Sequence, residues 1–305
     1  MISKPKSLWS RLVRDRFLYL LIAPGVIYFI IFKIIPLGGL IISFEDYSPY
    51  RGFLHSQWIG LSNYIRFFSN KDFLLLLRNT LVISFLNLIF YFPIPIILSL
   101  LLNELRNQRF KRILQSIVYL PHFLSWVIVV GICYILFSQS NGIINQIIMA
   151  FGHNKIDFLQ NPHIFWGMLV GQNIWKESGY GTIIFLAAIS GIDPQQYEAA
   201  IIDGASRIKQ MWYVTLPGIR GTIITLLILR IGSIMNVGFE QVFLMMNGAV
   251  SEVADVFETY VYRVGVQNGQ FSYTTAVGFF KSIVGLVLIL FSNYIARRFG
   301  EEGVY

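Results

Sequence analysis

Residues 198–217 read EAAIIDGASRIKQMWYVTLP. Most of the chain is hydrophobic enough for lipid, yet this stretch is charged, rich in small residues and broken by a glycine. The residues leading into it, 190–200, read SGIDPQQYEAA. Asp193 is a good N-cap, because its side-chain oxygen can accept from a free N–H of the first turn. Pro194 suits the first helical position, where no N–H is needed. Gln196 stands three residues after Asp193, the spacing of a capping box. A short helix is therefore expected from Pro194 to about Asp203. Asp203-Gly204 is a breaker, since glycine takes positive φ at no steric cost. Ser206 can cap a second helix, which runs until Pro217 interrupts it. The expectation is helix, turn, helix, both amphipathic. Ala199 and Ala200 are small enough for another surface to come close. A well-capped connector between two spans would fit the same residues, but would not need this density of caps, small residues and one sharp break.

The surroundings are those of a membrane. The chain has 305 residues, 55% hydrophobic and 13% charged, against roughly 25% charged in an ordinary soluble domain. Its mean hydropathy of +0.61 completes the case for an integral membrane protein. The net charge of +8 could suggest nucleic acid, but the basic residues flank apolar segments instead of forming one basic stripe, so membrane lipid and not nucleic acid is the expected partner. The single cysteine, Cys133, lies in an apolar run and allows no intrachain disulfide. The basic N-terminus and its hydrophobic run resemble a signal peptide, but the run is too long for an h-region and no A-x-A-like site follows. It reads as a retained first span.

A helix needs about 20 apolar residues to cross the hydrocarbon core. Six candidates lie near 17–44, 79–102, 113–137, 165–190, 222–246 and 273–296, and the hydrogen-bond demand of lipid makes them helices. The fold class is an all-α membrane protein with six transmembrane helices. Lys33 and Pro36 suggest that the outer end of the first is kinked or buried in protein. Pro93 and Pro95, in FPIP, should bend the second. Fourteen Lys and Arg fall before span one, between spans two and three, between four and five, and after six; the other connections hold six. Positive charge concentrates on the cytoplasmic side, so both termini and the opening stretch are expected inside. The outer connection between spans one and two, with Trp58 and several Tyr and Phe, should pack on the outer face. No internal repeat or linker is visible. The expected division is a cytoplasmic segment 1–16, one membrane domain 17–296 containing a loop 191–220, and a cytoplasmic tail 297–305.

EAAIIDGA, with VTLP at the expected distance, resembles the EAA signature of ABC importer permeases. Glu198, Ala199, Ala200, Asp203, Gly204, Ala205, Leu216 and Pro217 match the pattern. Met211, Val214 and Gly221 depart from it mildly, where Phe, Ile and Pro are usual. LIAPGVIYFIIFKIIPLGGLIISFEDY in the first span, GLSNYIRFF and LRNTL before the second, and GFEQVFLM in the fifth are similar to the carbohydrate-uptake branch, especially its polysaccharide- and oligosaccharide-type permeases. The resemblance covers nearly the whole chain. It implies a type I importer fold whose cytoplasmic coupling helices dock on an ATPase. It also implies an ATPase dimer holding ATP and Mg, a second homologous permease in a heterodimer or homodimer, an extracellular solute-binding protein, a carbohydrate cargo, and a place in the bacterial plasma (inner) membrane. Another small cargo, such as a monosaccharide or glycerol phosphate, stays open.

What the chain lacks points the same way. There is no G-x-x-x-x-G-K-[ST], so ATP would be handled elsewhere and this chain is expected to bind no cofactor. There is no H-E-x-x-H, and His55, His122, His153 and His163 are scattered, so no metal site is expected. No nucleophile–base constellation suggests an enzyme. An ATP-independent secondary transporter would use intramembrane charges, but the missing inverted repeat and the hairpin argue against it. GYGT at 179–182 resembles a channel filter by eye; inside a span, helix packing is the better reading. Lys176, Arg230 and Lys281 are intramembrane charges, which face protein or water, and mutual neutralisation would explain them as well as a pathway would. Adjacent helical residues do not face each other, so Lys176 and Glu177 need other partners, and a Glu177–Arg230 pair is expected. Asn173, Trp175, Glu177, Asn236 and Glu240 are candidates for a sugar pathway, where aromatic faces meet the apolar side of a ring and amides or carboxylates orient its hydroxyls.

Overall fold

The computed structural model describes residues 15–298, Gly300 and Gly303. The cytoplasmic segment 1–16 and the tail 297–305 expected above therefore lie largely outside the described residues. The first span begins with α1 (Arg16–Phe29) and runs to Phe44 through a π segment and a closing 3-10 turn. From Arg16 to Leu37 no residue is buried, Lys33 included. Its C-terminal end, Gly38–Phe44, packs on the last helix and buries Ser43.

The connection between the first and second spans folds back onto the bundle instead of standing free. Strands β1 (Glu45–Asp46) and β2 (Gln57–Trp58) pair antiparallel, and α2 (Ser62–Phe68) lies against the last helix. The Asn63 amide donates to the carbonyls of Ser43 and Glu45. Phe67 is fully buried among Phe73, Phe257 and Phe280, with ring centres 5.0–6.0 Å away, and each such pair adds about 1 kcal/mol beyond area burial.

The second span joins α3 (Asp72–Leu86) to α4 (Pro93–Asn103) through a π segment, Asn87–Tyr91, as one helix of 32 residues. At FPIP the helix runs on without a break. A proline lacks an N–H and its ring crowds the carbonyl four residues back. Here the residue before Pro93, Phe92, donates to the carbonyl of Asn87, five back. The wider turn takes up the ring while the helix continues. The same device precedes Pro36, with Ile35 donating to Ile30, and Pro217, with Leu216 donating to Met211.

The third span is not one straight helix. α5 (Gln108–Tyr119) ends in a 3-10 turn and turns 102° into α6 (Trp126–Phe137). Pro121 and the N-cap Ser125, whose hydroxyl accepts from the Ile128 N–H, make the corner. After the short α7 (Ile143–Ala150) comes α8 (Pro162–Ser190), 29 residues packed against the second, third and fifth spans. α8 is not among the helices long and apolar enough to cross by length and composition alone; among the described residues three helices are, or up to five if each bent pair is one span. Its polar middle is instead enclosed by its neighbours.

The hairpin is α9 (Pro194–Ile202) and α10 (Arg207–Gln210), which continues as a π segment to Thr215. A 58° bend leads into α11 (Arg220–Gly232). The fifth span then unwinds between Ser233 and Gly238, where Gly238 has φ 101°, and resumes as α12 (Phe239–Met245). Two short helices, α13 (Ser251–Ala254) and α14 (Phe257–Val261), precede the last span, α15 (Phe271–Arg298).

Small residues set the helix crossings, as is usual where lipid provides no hydrophobic drive between helices. A Cβ on Gly232 would stand 2.0 Å from Ile289, and one on Gly285 2.7 Å from the Gly232 carbonyl oxygen, so α11 and α15 cross almost backbone to backbone. GYGT is a packing seam: a Cβ on Gly179 would meet the Val118 carbonyl oxygen at 2.0 Å, and one on Gly181 the Pro95 ring at 2.9 Å. Gly179→Val is expected to lower thermal stability in detergent by about 3 kcal/mol or more. Gly171→Ala, with nothing within 4 Å of its Cβ, is expected to be neutral or stabilising by up to about 1 kcal/mol. Melting both variants beside the wild type checks the pair.

Candidate functional site

Two regions carry the candidate residues: the hairpin, and the polar middle of the bundle. In the hairpin, Asp193 accepts from the Gln195 N–H at 2.9 Å, so the N-cap is present. Gln196 makes no reciprocal bond, so the capping box is not. Ser206 sits at the N-cap of α10 without a side-chain cap bond. The break is a Schellman motif. Gly204, at φ 73°, donates to the Ile201 carbonyl, and Ala205 donates to that of Ala200 at 2.8 Å. The Tyr197 and Thr215 hydroxyls meet at 2.9 Å across the hairpin, and the Gln210 amide donates to the Ala205 carbonyl. Arg207 reaches both the carbonyl and the carboxylate of Glu104, tying the hairpin to the loop after the second span.

These bonds leave one side open. Glu198, Ala199, Asp203, Gly204 and Pro217 are exposed, and Ala200, Ala205 and Leu216 half-buried. Ile202 is 86% exposed and Ile201 61%. The hairpin leads inward through Gly218, which packs on Ile192, and through the buried Ile219, clustered with Phe185 and Ile189.

In the middle of the bundle, the expected Glu177–Arg230 pair is not formed. Glu177 bonds His122 Nδ1 at 2.7 Å and Lys176 Nζ at 2.9 Å. Lys176 also donates to the His122 carbonyl at 2.9 Å and lies 5.3 Å over the Trp126 ring, and His122 stacks on Tyr180 at 4.3 Å. The neighbours Lys176 and Glu177 do meet, because both long side chains turn toward the corner of the third span. His122, at that corner, went unrecognised in the sequence; Pro121 and Ser125 were the signal that the chain turns there.

Asn173 donates to Asn87 Oδ1 at 2.6 Å, and Asn87 donates to the Ile83 carbonyl. Trp175 stands about 200° round the helix from Asn173. It lines a different space, an apolar groove of about 600 Å³ with Cys133, Phe137 and Gly171. Asn236 is exposed at the unwound stretch of the fifth span, and Glu240 is exposed in the first turn of α12. Asn236 and Lys281 share a cavity of about 290 Å³ with Gly232, Gly278 and Gly285. Lys281 is paired with Glu258. The guanidinium of Arg230 lies 5.4 Å over the Tyr91 ring. The structure thus groups Asn173 with Glu177 on one face of α8 and Asn236 with Lys281 beside the break, with Trp175 apart from both.

Beyond the fifth span, Arg263 and Asp255 form an ion pair, and Thr259 donates to Asp255 at 2.7 Å. The hydrogen bond to Asp255 holds the Arg263 guanidinium above its usual pKa despite burial. No group of three or more His, Cys, Asp or Glu suited to a metal occurs among the described residues.

A bundle of apolar helices with an exposed helical hairpin and a polar, unwound middle defines a membrane transport subunit. Residues 92–301 match the family described as binding-protein-dependent transport system inner membrane component, and the chain belongs to that family. It is 54% identical to Protein LplB of Bacillus subtilis (strain 168), over 97% of this chain and 93% of that protein. It is 51% identical to the polygalacturonan/rhamnogalacturonan transport system permease protein YteP of the same organism, over 99% of this chain and 94% of that protein. A solved bacterial alginate ABC transporter in complex with alginate pentasaccharide-bound periplasmic protein superposes with TM-score 0.89 at 39% identity, covering 97% of this chain and 99% of that chain.

Lys176 has a side chain only 7% exposed, and a buried charge robbed of its partner costs about 3–5 kcal/mol. Glu177→Ala is expected to destabilise the protein by about 3 kcal/mol, and Lys176→Met with Glu177→Leu to recover most of that loss. A melting comparison in which the double variant is no better than Glu177→Ala would show that the pair is not what stabilises this corner.

Proposed function

We propose that the chain is a six-span permease subunit of an ABC importer for oligosaccharides or polysaccharide fragments, with both termini cytoplasmic, and that residues 194–217 are the handle by which a separate ATPase moves it. The observation that carries this reading is the hairpin itself: a Schellman-capped break with Ile201 and Ile202 left exposed. An apolar pair at such a place asks for a protein surface to cover it. The match to the EAA pattern names that surface as the ATPase, on which ATP and Mg would reside; this chain binds no cofactor. ATP acts by favouring one conformation over another.

The cargo follows from relatives named for polygalacturonan/rhamnogalacturonan, for arabinooligosaccharides and for alginate. A binding protein would deliver it to the outer face. The first span, with no buried residue from Arg16 to Leu37, supports a second permease or lipid as its neighbour. Asn173, Glu177, Asn236 and Glu240 are the residues of the pathway, Asn236 and Glu240 at and just after the unwound stretch of the fifth span and Asn173 and Glu177 on one face of α8. Non-helical backbone at membrane depth survives only where protein covers it or water lines it, and discontinuous helices are where transporters hold their cargo.

Purification of the tagged chain from its native host in mild detergent is expected to bring down an ATPase and a second permease. Ile202→Asp is expected to weaken ATPase capture by about 30-fold, the effect of losing an anchor worth about 2 kcal/mol, and Glu198→Lys to weaken it too, both without loss of folded chain. A chain that comes out alone, with no ATPase, would favour an ATP-independent transporter.

A further inference from the structure

Arg230 stands out among the cations set inside the bundle. Lys176 meets Glu177 and Lys281 meets Glu258. Arg230 has no carboxylate within ion-pair distance and no hydrogen bond from its guanidinium among the described residues; its one close partner is the face of Tyr91. Lys33 also lacks an acid, but it stands on the exposed first span, where its long stem can carry the charge out of the lipid. Arg230 is half-buried, and an arginine keeps its charge, so that charge asks for compensation. The cation–π contact supplies only part of that, and so does its place in the last turn of α11, at the negative end of the helix dipole.

The position is equally specific. Arg230 ends the helix just before the fifth span unwinds. It borders a small polar pocket with Ser84, Asn87, Ser233 and Asn236. Ser84 donates to the Ile234 carbonyl, and the Asn87 amide oxygen accepts from Asn173, so these groups are held in place by bonds among themselves. The nearest acidic candidate along the chain, Glu240, forms no ion pair with Arg230. A planar guanidinium with its donors unused matches a carboxylate bidentately, while the neighbouring amides match sugar hydroxyls and the Tyr91 ring the apolar side of a sugar.

Resting on the pathway assigned above, we propose that Arg230, backed by Tyr91, is a specificity-determining residue that binds the carboxylate of an acidic sugar unit as it passes the break in the fifth span. The cargo class is a uronate-containing oligosaccharide. The carboxylate supplies during passage the counter-charge that the protein leaves out.

The test uses the complete importer in vesicles, with its own ATPase, sister permease and binding protein. Two labelled probes are supplied at saturation: a trigalacturonate and its carboxyl-reduced, neutral counterpart. The wild type is expected to move the acidic probe. Arg230→Gln is expected to lower the ratio of acidic to neutral uptake by about tenfold to a hundredfold, the effect of losing a hydrogen-bonded charge, and Arg230→Lys to restore part of it. Equal loss for both probes would mark Arg230 as a helix-end structural group and overturn the proposal, as would no change, or a wild type that moves only the neutral probe. A wild type that moves neither probe while ATP still drives another solute would overturn the carbohydrate pathway itself, and this proposal with it.

Discussion

The structure depends on one constraint: in lipid, every backbone N–H and C=O must find its partner inside the protein. The helices satisfy it by themselves, and each irregularity needs a repair. At Pro36, Pro93 and Pro217 the repair is a single wide turn whose last N–H reaches five residues back. At the corner of the third span it is the Ser125 cap and the Lys176 ammonium on the His122 carbonyl. At the unwound stretch of the fifth span it is the Ser84 hydroxyl on the Ile234 carbonyl. The side chains that make these repairs are the polar ones that look out of place in a hydrophobic sequence.

The same economy links the two ends of the molecule. The hairpin is rigid within itself, through its Schellman turn and the Tyr197–Thr215 contact, and it is fastened to a second loop by Arg207 and Glu104. It continues through a wide turn and a bend into α11, whose far end crosses α15 closely, with Gly285 against the Gly232 carbonyl and the Ile289 side chain packed on Gly232. That crossing is where the fifth span unwinds. A displacement of the hairpin therefore has a stiff route to the polar break, with no flexible linker on the way.

Much of this was legible beforehand, for physical reasons. The hairpin, its glycine break and its N-cap are local, and local chemistry shows in local sequence. The first, second and last spans are apolar enough to read directly, and the folded outer connection announced itself through its aromatic residues. The six-span count and the cytoplasmic termini follow from hydropathy and charge and stay part of the proposed reading. What sequence could not show was geometry across elements. The third and fifth spans read as unbroken runs, because a bend leaves average hydropathy unchanged; only Pro121 with Ser125, and Gly232 with Gly238, hinted at the breaks. The partner of Glu177 was misread as Arg230, because His122 is 55 residues away in sequence and becomes a neighbour only once the third span turns. Trp175 was grouped with the amides by proximity along the chain, although the helix puts it on another face.

The central claim is that the hairpin moves the break. Spin labels at Ser206→Cys and Ala249→Cys, both exposed positions, would report it in a Cys133→Ala background of the assembled importer. The account predicts that the distance between the labels shifts when ATP is added to the loaded complex and returns after hydrolysis. An unchanged distance in a complex that is hydrolysing ATP and transporting sugar would contradict it.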